Sequence, residues 1–265
     1  MNVPPFLPLM PWWNARTARV PRRPTRPVIE AGASTHIGLV RHENQDHFGL
    51  FEHGGERLYV VADGMGGHEA GAEAAHLAVA RCAEVFAQSS RQPVPERLHH
   101  ALLAANQSVY AASRTNGVAR RMGTTLSALA LVDGQAYVGH VGDSRVYAVE
   151  NGAARQLTSD HTVAEALRRD GLLSTGQARR HAYRHALTRA VGVHPEVAVD
   201  VIRLGAVAAP LRFVLCSDGL DRVKPPEIEA VVSSETPQRA AERLIDIANE
   251  RGGADNSTAV VVALT

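Results

Sequence analysis

Nine short runs along the chain carry apolar residues at strand period or as unbroken stretches: "THIGLV" (35–40), "DHFGLFE" (46–52), "RLYVVAD" (57–63), "TTLSALALV" (124–132), "AYVGHVGD" (136–143), "SRVYAVE" (144–150), "VAVDVIRL" (197–204), "RFVLCSD" (212–218) and "STAVVVAL" (257–264). Elsewhere the period lengthens to that of a helix. Ala75, Ala78, Val79, Cys82, Val85 and Phe86 recur at i, i+3, i+4, and Leu98, Leu102, Ala105 and Val109 repeat the spacing. A second helical block is expected from "TVAEALRRDG" (162–171) to about residue 189. A final pair, "PPEIEAVVSS" (225–234) and "PQRAAERLIDIANE" (237–250), has Pro225 and Pro237 near its starts and Gly252 at its close. Strands grouped apart from paired helices predict an α+β layered fold rather than βαβ units.

The first 27 residues break this pattern. Seven prolines there exclude a long helix or a central strand, and five arginines stand without a single acid. Residues 1–28 are therefore expected to be a disordered tail and 29–265 one domain. The rest of the chain is left with 23 basic against 27 acidic residues, which argues against nucleic acid as the main ligand. No apolar run reaches the length of a membrane span. Cys82 and Cys216 each sit in an apolar run and read as small buried hydrophobes, consistent with a cytoplasmic protein.

Candidate chemistry lies at the ends of the strands. Three runs finish on aspartate, at Asp63, Asp143 and Asp218, while Asp46 and Asp255 lie at the start of two others. In an antiparallel sheet the end of one strand lies beside the start of its neighbour, so these carboxylates can meet on one rim. So many negative charges repel unless cations compensate them, and carboxylates without a cysteine pair suit Mg²⁺ or Mn²⁺ rather than structural zinc. The loop "VADGMGGHEAG" (61–71) is no dinucleotide fingerprint, because Glu69 stands where glycine is required, and no P-loop, because no Gly-Lys-Ser/Thr follows. Among the histidines, His181 and His185 have the spacing of a helical zinc pair, but "HAYRH" lacks the glutamate of a zincin and carries Arg184 inside it.

Eight segments in order, "RHENQD" (41–46), "VADGMGGHEAG", "GTTLSALAL" (123–131), "VGDSRVY" (141–147), "LTSDHT" (157–162), "LTRAVG" (187–192), "CSDGL" (216–220) and "GGADNSTAVVV" (252–262), resemble the bacterial metal-dependent Ser/Thr protein phosphatases (PPM, type 2C). That resemblance implies a four-layer αββα sandwich, with two central antiparallel sheets between helix pairs and a flap at about 160–190. It implies two Mn²⁺ or Mg²⁺ ions bridged by Asp63, with the Gly64 carbonyl on the second ion. Asp218 and Asp255 would complete the first ion's shell and Asp46 would hold waters of the second. Asp143 with Asp218 would form a weaker third site, and Arg41 would clamp the substrate phosphate.

The implied reaction is attack of a metal-bridging water on phosphoserine or phosphothreonine, reversing a bacterial Ser/Thr kinase, in a monomeric enzyme with phosphoproteins as partners. His68, in the glycine loop, is the candidate proton donor to the leaving alkoxide. Gln45 replaces a glutamate common in the family, and the arginines at 168, 169, 179, 180 and 184 could meet acidic substrates or simply form a solvated face. The alternative is an inactive member of the fold serving as a phosphoprotein-binding module. Every metal and phosphate position of the motif is filled here, which favours the enzyme.

Overall fold

The computed structural model describes residues 27–67, 69–114 and 122–265. Most of the tail and the proposed donor His68 lie outside them. Among the described residues, eleven strands form two antiparallel sheets. The first contains β1 (Ile29–His36), β11 (Ser257–Leu264), β10 (Leu211–Cys216), β7 (Arg145–Glu150) and β8 (Ala153–Gln156), in that spatial order. The second runs β2 (Asp46–His53), β3 (Glu56–Gly66), β5 (Leu126–Val132), β6 (Gln135–Val141) and β9 (Asp200–Ala206), and β4 (Met122–Thr124) pairs with the far end of β3.

Helices α1 (Ala70–Gln88) and α2 (Val94–Ala112) cover the outer face of the second sheet, and α5 (Pro225–Ser234) and α6 (Pro237–Glu250) cover that of the first. The αββα arrangement expected from the sequence is therefore present. Both helices of the second pair open as the sequence indicates: Pro225 and Pro237 occupy first-turn positions, where the missing N–H is no loss.

The unbroken apolar runs have a simple cause. A central strand in four layers is buried on both faces, so period 2 divides its side chains between two cores instead of between core and water. On β11, Ala259 and Val261 face α5 and α6, while Val260, Val262 and Leu264 pack between the sheets. On β3, Leu58, Val60 and Ala62 face α1 and α2, while Tyr59 and Val61 point inward. Fully burying one such leucine or valine contributes roughly 1.5–3 kcal/mol.

Three tight hairpins set the register. Gly54-Gly55, Asp133-Gly134 and Asn151-Gly152 each have positive φ at both positions, as type I′ turns require, and they join β2 to β3, β5 to β6 and β7 to β8. The last hairpin contains the strand that the apolar pattern did not reveal. β8 is short, at a sheet edge and mostly exposed, so only its Asn-Gly turn announces it.

Two expected elements differ. The strand placed at 35–40 is instead β1, which ends at His36 before the chain turns at Gly38 (φ 84°). Its own pattern is weak because α6 lies over it: a Cβ on Gly32 would come 2.2 Å from the Gln238 nitrogen. Partnership with β11, from Ile29↔Leu264 to His36↔Ser257, defines the strand instead. The helical block 162–189 reduces to α3 (Val163–Arg169) and α4 (Thr175–Ala178) followed by turns. Cys82 and Cys216 are buried and free.

One buried polar group carries a pH consequence. His140 on β6 is fully buried, its Nε2 faces the Ser159 carbonyl at 3.2 Å and its Nδ1 lies 2.9 Å from Ser127 Oγ. Burial, followed by the proximity of His161, pushes it down to about 4 from the ordinary 6.5. The native state thus refuses a proton that the unfolded chain accepts, so stability is full above 6.5 and is lost as pH falls toward 4. The loss is roughly 2–3 kcal/mol. Urea unfolding at about pH 7 and about pH 4.5 checks this: His140→Gln should show a pH dependence smaller by that amount. An unchanged dependence would remove His140 as its source.

Candidate active site

Asp46 and Asp63 are direct cross-strand partners on β2 and β3, so their carboxylates share one face of the sheet. Like charges placed opposite one another destabilise a ladder. Here the pair lies at the end of the sandwich where Asp143, after β6, and Asp218, after β10, also emerge, with Asp255 just before β11. A cleft of about 560 Å³ collects Arg41, Asp63, Gly64, Asp143, Asp218 and Asp255, and His185, Leu187, Thr188 and Arg189 form part of its wall. Asp46 is buried beneath it and interacts electrostatically with Asp218 and Asp255. The structure thus brings together Arg41, Gly64 and the five aspartates that the resemblance pointed to.

Backbone contacts hold Asp63 in place. Its N–H donates to Thr125 Oγ1 at 2.9 Å, and its carbonyl accepts from the Thr125 N–H and from Thr124 Oγ1, both at 2.9 Å. This explains the paired threonines of "GTTLSALAL". The next residue has to be glycine, because a Cβ on Gly64 would lie 2.0 Å from the Gly71 carbonyl oxygen and 2.6 Å from that of Gln45. The close approach seats the start of α1 against the strand end.

Asn256 ties down the loop that carries Arg41. Its Nδ2 donates to the carbonyls of Ile37 (2.8 Å) and Glu43 (2.9 Å), and its Oδ1 accepts from the Gln45 N–H at 2.8 Å. Arg41 then reaches Asp255, Nη2 to Oδ2, at 2.6 Å. Both side chains are substantially exposed, so this pair is worth only about 0–1 kcal/mol and exchanges readily for another partner. Behind Asp143, the Gly142 N–H donates to His161 Nδ1 at 3.1 Å, and His161 Nε2 meets Asp200 at 3.0 Å. His161 therefore supports loop structure.

Burial and mutual repulsion dominate the electrostatics. Asp46 is pushed up to about 7 by burial, against opposing hydrogen bonds from Ser217 and Thr258 and with Asp218 and Asp255 adding to the rise. Asp143 is pushed up to about 8 by burial and then by Asp218, and Asp63 stands well above the ordinary carboxylate range for the same reasons. Asp218 is the exception: burial works to raise it, but His185 and Arg145 more than offset that and hold it low. Ser217 Oγ donates to Asp46 Oδ2 at 2.7 Å, yet Asp46 Oδ1 is buried with no hydrogen-bond partner among the described residues. A buried carboxylate oxygen left without a donor, beside three more carboxylates, has the character of a hard-cation site.

His185 is the functional candidate the sequence hid. Its spacing from His181 suggested a helical zinc pair, but 181–185 is turn, not helix. His185 instead faces Asp218, Nδ1 to Oδ2, at 3.2 Å.

The sequence matches the Protein phosphatase 2C family over residues 39–259. The chain belongs to this family. It is 34% identical over 241 residues to the serine/threonine phosphatase stp of Listeria monocytogenes, covering 88% of this chain and 95% of that one. The structure is similar to that of the Mycobacterium tuberculosis serine/threonine phosphatase PstP/Ppp, with a TM-score of 0.80 and 33% identity over 89% of this chain and 98% of that one. It also resembles the catalytic domain of PstP in complex with 2 manganese ions, at TM-score 0.75 and 30% identity over 89% and 98% of the two chains. The protein is a metal-dependent Ser/Thr protein phosphatase of the bacterial 2C type. Among the described residues, no helix is long and apolar enough to cross a membrane.

Proposed function

We propose that this phosphatase holds two Mn²⁺ or Mg²⁺ ions with Asp63, the Gly64 carbonyl, Asp218 and Asp255, Asp46 acting through waters, and hydrolyses phosphoserine and phosphothreonine in proteins phosphorylated by a cognate bacterial Ser/Thr kinase in the cytoplasm. The observation that carries the reading is the meeting of five aspartates from separate segments around a buried carboxylate oxygen that has no donor among the described residues. When bound, such ions supply Lewis-acid stabilisation of a phosphoryl group and a water nucleophile at neutral pH. The chain's own residues then have defined tasks. Thr124 and Thr125 fix the Asp63 backbone, which holds at the rim the residue whose carboxylate would ligate the ions. Arg41 stands in the cleft in a weak, exposed ion pair and is available to hold two phosphoryl oxygens with its planar fork.

Residues 29–265 form the catalytic domain in this reading, 1–28 a tail, and 160–190 a flap. The flap supplies His185, Leu187, Thr188 and Arg189 to the cleft wall, and Arg189 is steadied by Asp200 at 2.8 Å. A substrate entering the cleft passes between the flap and the loop of Arg41. His68 in the glycine loop is the proposed proton donor to the leaving serine or threonine oxygen.

Phosphate release from a phosphothreonine peptide tests the assignment. It should require Mn²⁺ or Mg²⁺ and fall by about 10²-fold or more in Asp63→Asn. Full activity in that variant would overturn the metal role, and no activity of the wild type with Mn²⁺ would favour the binding-module alternative. For His68, the leaving group discriminates: His68→Gln should slow hydrolysis of the phosphothreonine peptide far more than that of p-nitrophenyl phosphate, whose phenolate leaves without a proton. Equal losses on both substrates would refute the donor role.

A further inference from the structure

We propose that a groove beside the active-site cleft receives acidic or phosphorylated residues of the substrate chain, and that Arg179, Arg184, Arg222 and Lys224 select phosphoproteins whose target residue lies in an anionic stretch. The inference rests on the phosphoprotein reading above and deepens it by naming the sequence class that the cleft accepts.

The groove, of about 1120 Å³, is continuous with the cleft: Arg41, His185, Asp218 and Asp255 line both. A substrate chain whose phosphate lies against Arg41 therefore has a channel to continue into. The floor is firm, because Tyr147, Ala178, Val223 and Ala248 are buried beneath it. Two separate parts of the chain supply the cationic walls: Arg179 and Arg184 stand on the turns after α4, and Arg222 and Lys224 on the turn before α5. Lys224 is the single lysine of the chain.

The charges on those walls do not cancel. Each of the five acidic residues lining the groove already faces a cationic partner. Asp160 and Asp221 share Arg145 at 2.6 and 2.5 Å, Glu165 holds Arg168 at 2.5 Å, Asp255 holds Arg41 at 2.6 Å and Asp218 faces His185 at 3.2 Å. Arg179, Arg184, Arg222 and Lys224 are exposed and form no salt bridge among the described residues. Arg222 donates to the Arg251 carbonyl at 2.6 Å, which places its head and leaves its charge uncompensated. Lys224 senses Glu227, but Arg251 already binds that carboxylate.

Four uncompensated cations around one groove concentrate positive potential there, although the body of the chain outside residues 1–27 is net negative. Guanidinium forks suit phosphate and carboxylate alike. The structure also sorts the basic run of the sequence, since Arg168, Arg179 and Arg184 line the groove while Arg169 and Arg180 do not. Residues 1–27, with five arginines and no acid, have the wrong sign to fill it.

Steady-state kinetics of the full-length protein with Mn²⁺ tests the inference on a phosphothreonine peptide with neutral flanks and on two derivatives. One carries glutamates within about six positions on either side, roughly 20 Å of extended chain. The other carries a non-hydrolysable phosphonate analogue of phosphoserine in the same window. KM should be about tenfold lower for a derivative than for the neutral peptide, with kcat little changed. The advantage should shrink toward nothing at about 0.5 M salt. A gain from the phosphonate alone assigns the groove to a second phosphate, and a gain from both derivatives assigns it to acidic sequence in general. Arg222→Gln with Lys224→Gln, and separately Arg179→Gln with Arg184→Gln, should each remove about threefold of the preference or more. Turnover of p-nitrophenyl phosphate, too small to extend from the cleft into the groove, reports whether the cleft survives these substitutions. Equal KM values for all three peptides at low salt, or a preference kept in both double variants, would overturn the inference alone. Parallel loss of p-nitrophenyl phosphate and peptide turnover would make these cations supports of the cleft and overturn it too. If the wild type hydrolyses no phosphopeptide with Mn²⁺, the proposed function fails and takes the inference with it.

Discussion

Repulsion among buried carboxylates is the constraint on which this end of the molecule is built. Asp46 and Asp63 face each other across a ladder, and Asp143, Asp218 and Asp255 are delivered to the same place by strands of both sheets. A fold selected for stability alone would not put them there. In the proposed reading divalent cations would change the balance, replacing repulsion with coordination and giving the orphaned Asp46 oxygen a direct or water-mediated partner. The antiparallel sandwich suits this task because strand ends from both sheets open on one rim while the three cores lie beneath it.

Around the carboxylates the polar residues act mainly on backbone. Thr124 and Thr125 grip the Asp63 peptide groups, Asn256 spans three peptides of the loop that presents Arg41, and His161 clamps the turn before Asp143. Each substitutes for the regular ladder that ends at the rim, so the acidic side chains are free to face the cleft. This division of labour explains why residues of little chemical reactivity sit inside the most distinctive sequence segments.

Much of this was legible from residue order. Period 2 located the central strands, period 3.6 located both helix pairs, and aspartates at strand ends marked the site. What escaped did so for physical reasons. β1 and β8 are edge strands with little burial, defined by a partner or by a turn rather than by apolar pattern. The block 162–189 has helical spacing without a sheet face to pack its length against, and only α3 and α4 form. His185 could not be found from spacing, because its partner Asp218 is distant in sequence and the nearby His181 pointed to the wrong geometry. The tasks of Asn256 and of the threonine pair were equally hidden, since backbone hydrogen bonds leave no periodic trace.

Thermal unfolding of the wild type and of Asp63→Asn, each in chelator and in excess Mn²⁺, tests the central claim most directly. In chelator the variant should melt higher than the wild type, because one member of the repelling cluster has become neutral. In Mn²⁺ at about a hundred times its dissociation constant, the wild type should gain about 2.7 kcal/mol for each ion bound. That corresponds to roughly 5–10 °C for a domain of this size, and the variant should gain far less. A wild type indifferent to Mn²⁺, or a variant less stable than wild type in chelator, would contradict the view that cation binding resolves the strain of this carboxylate cluster.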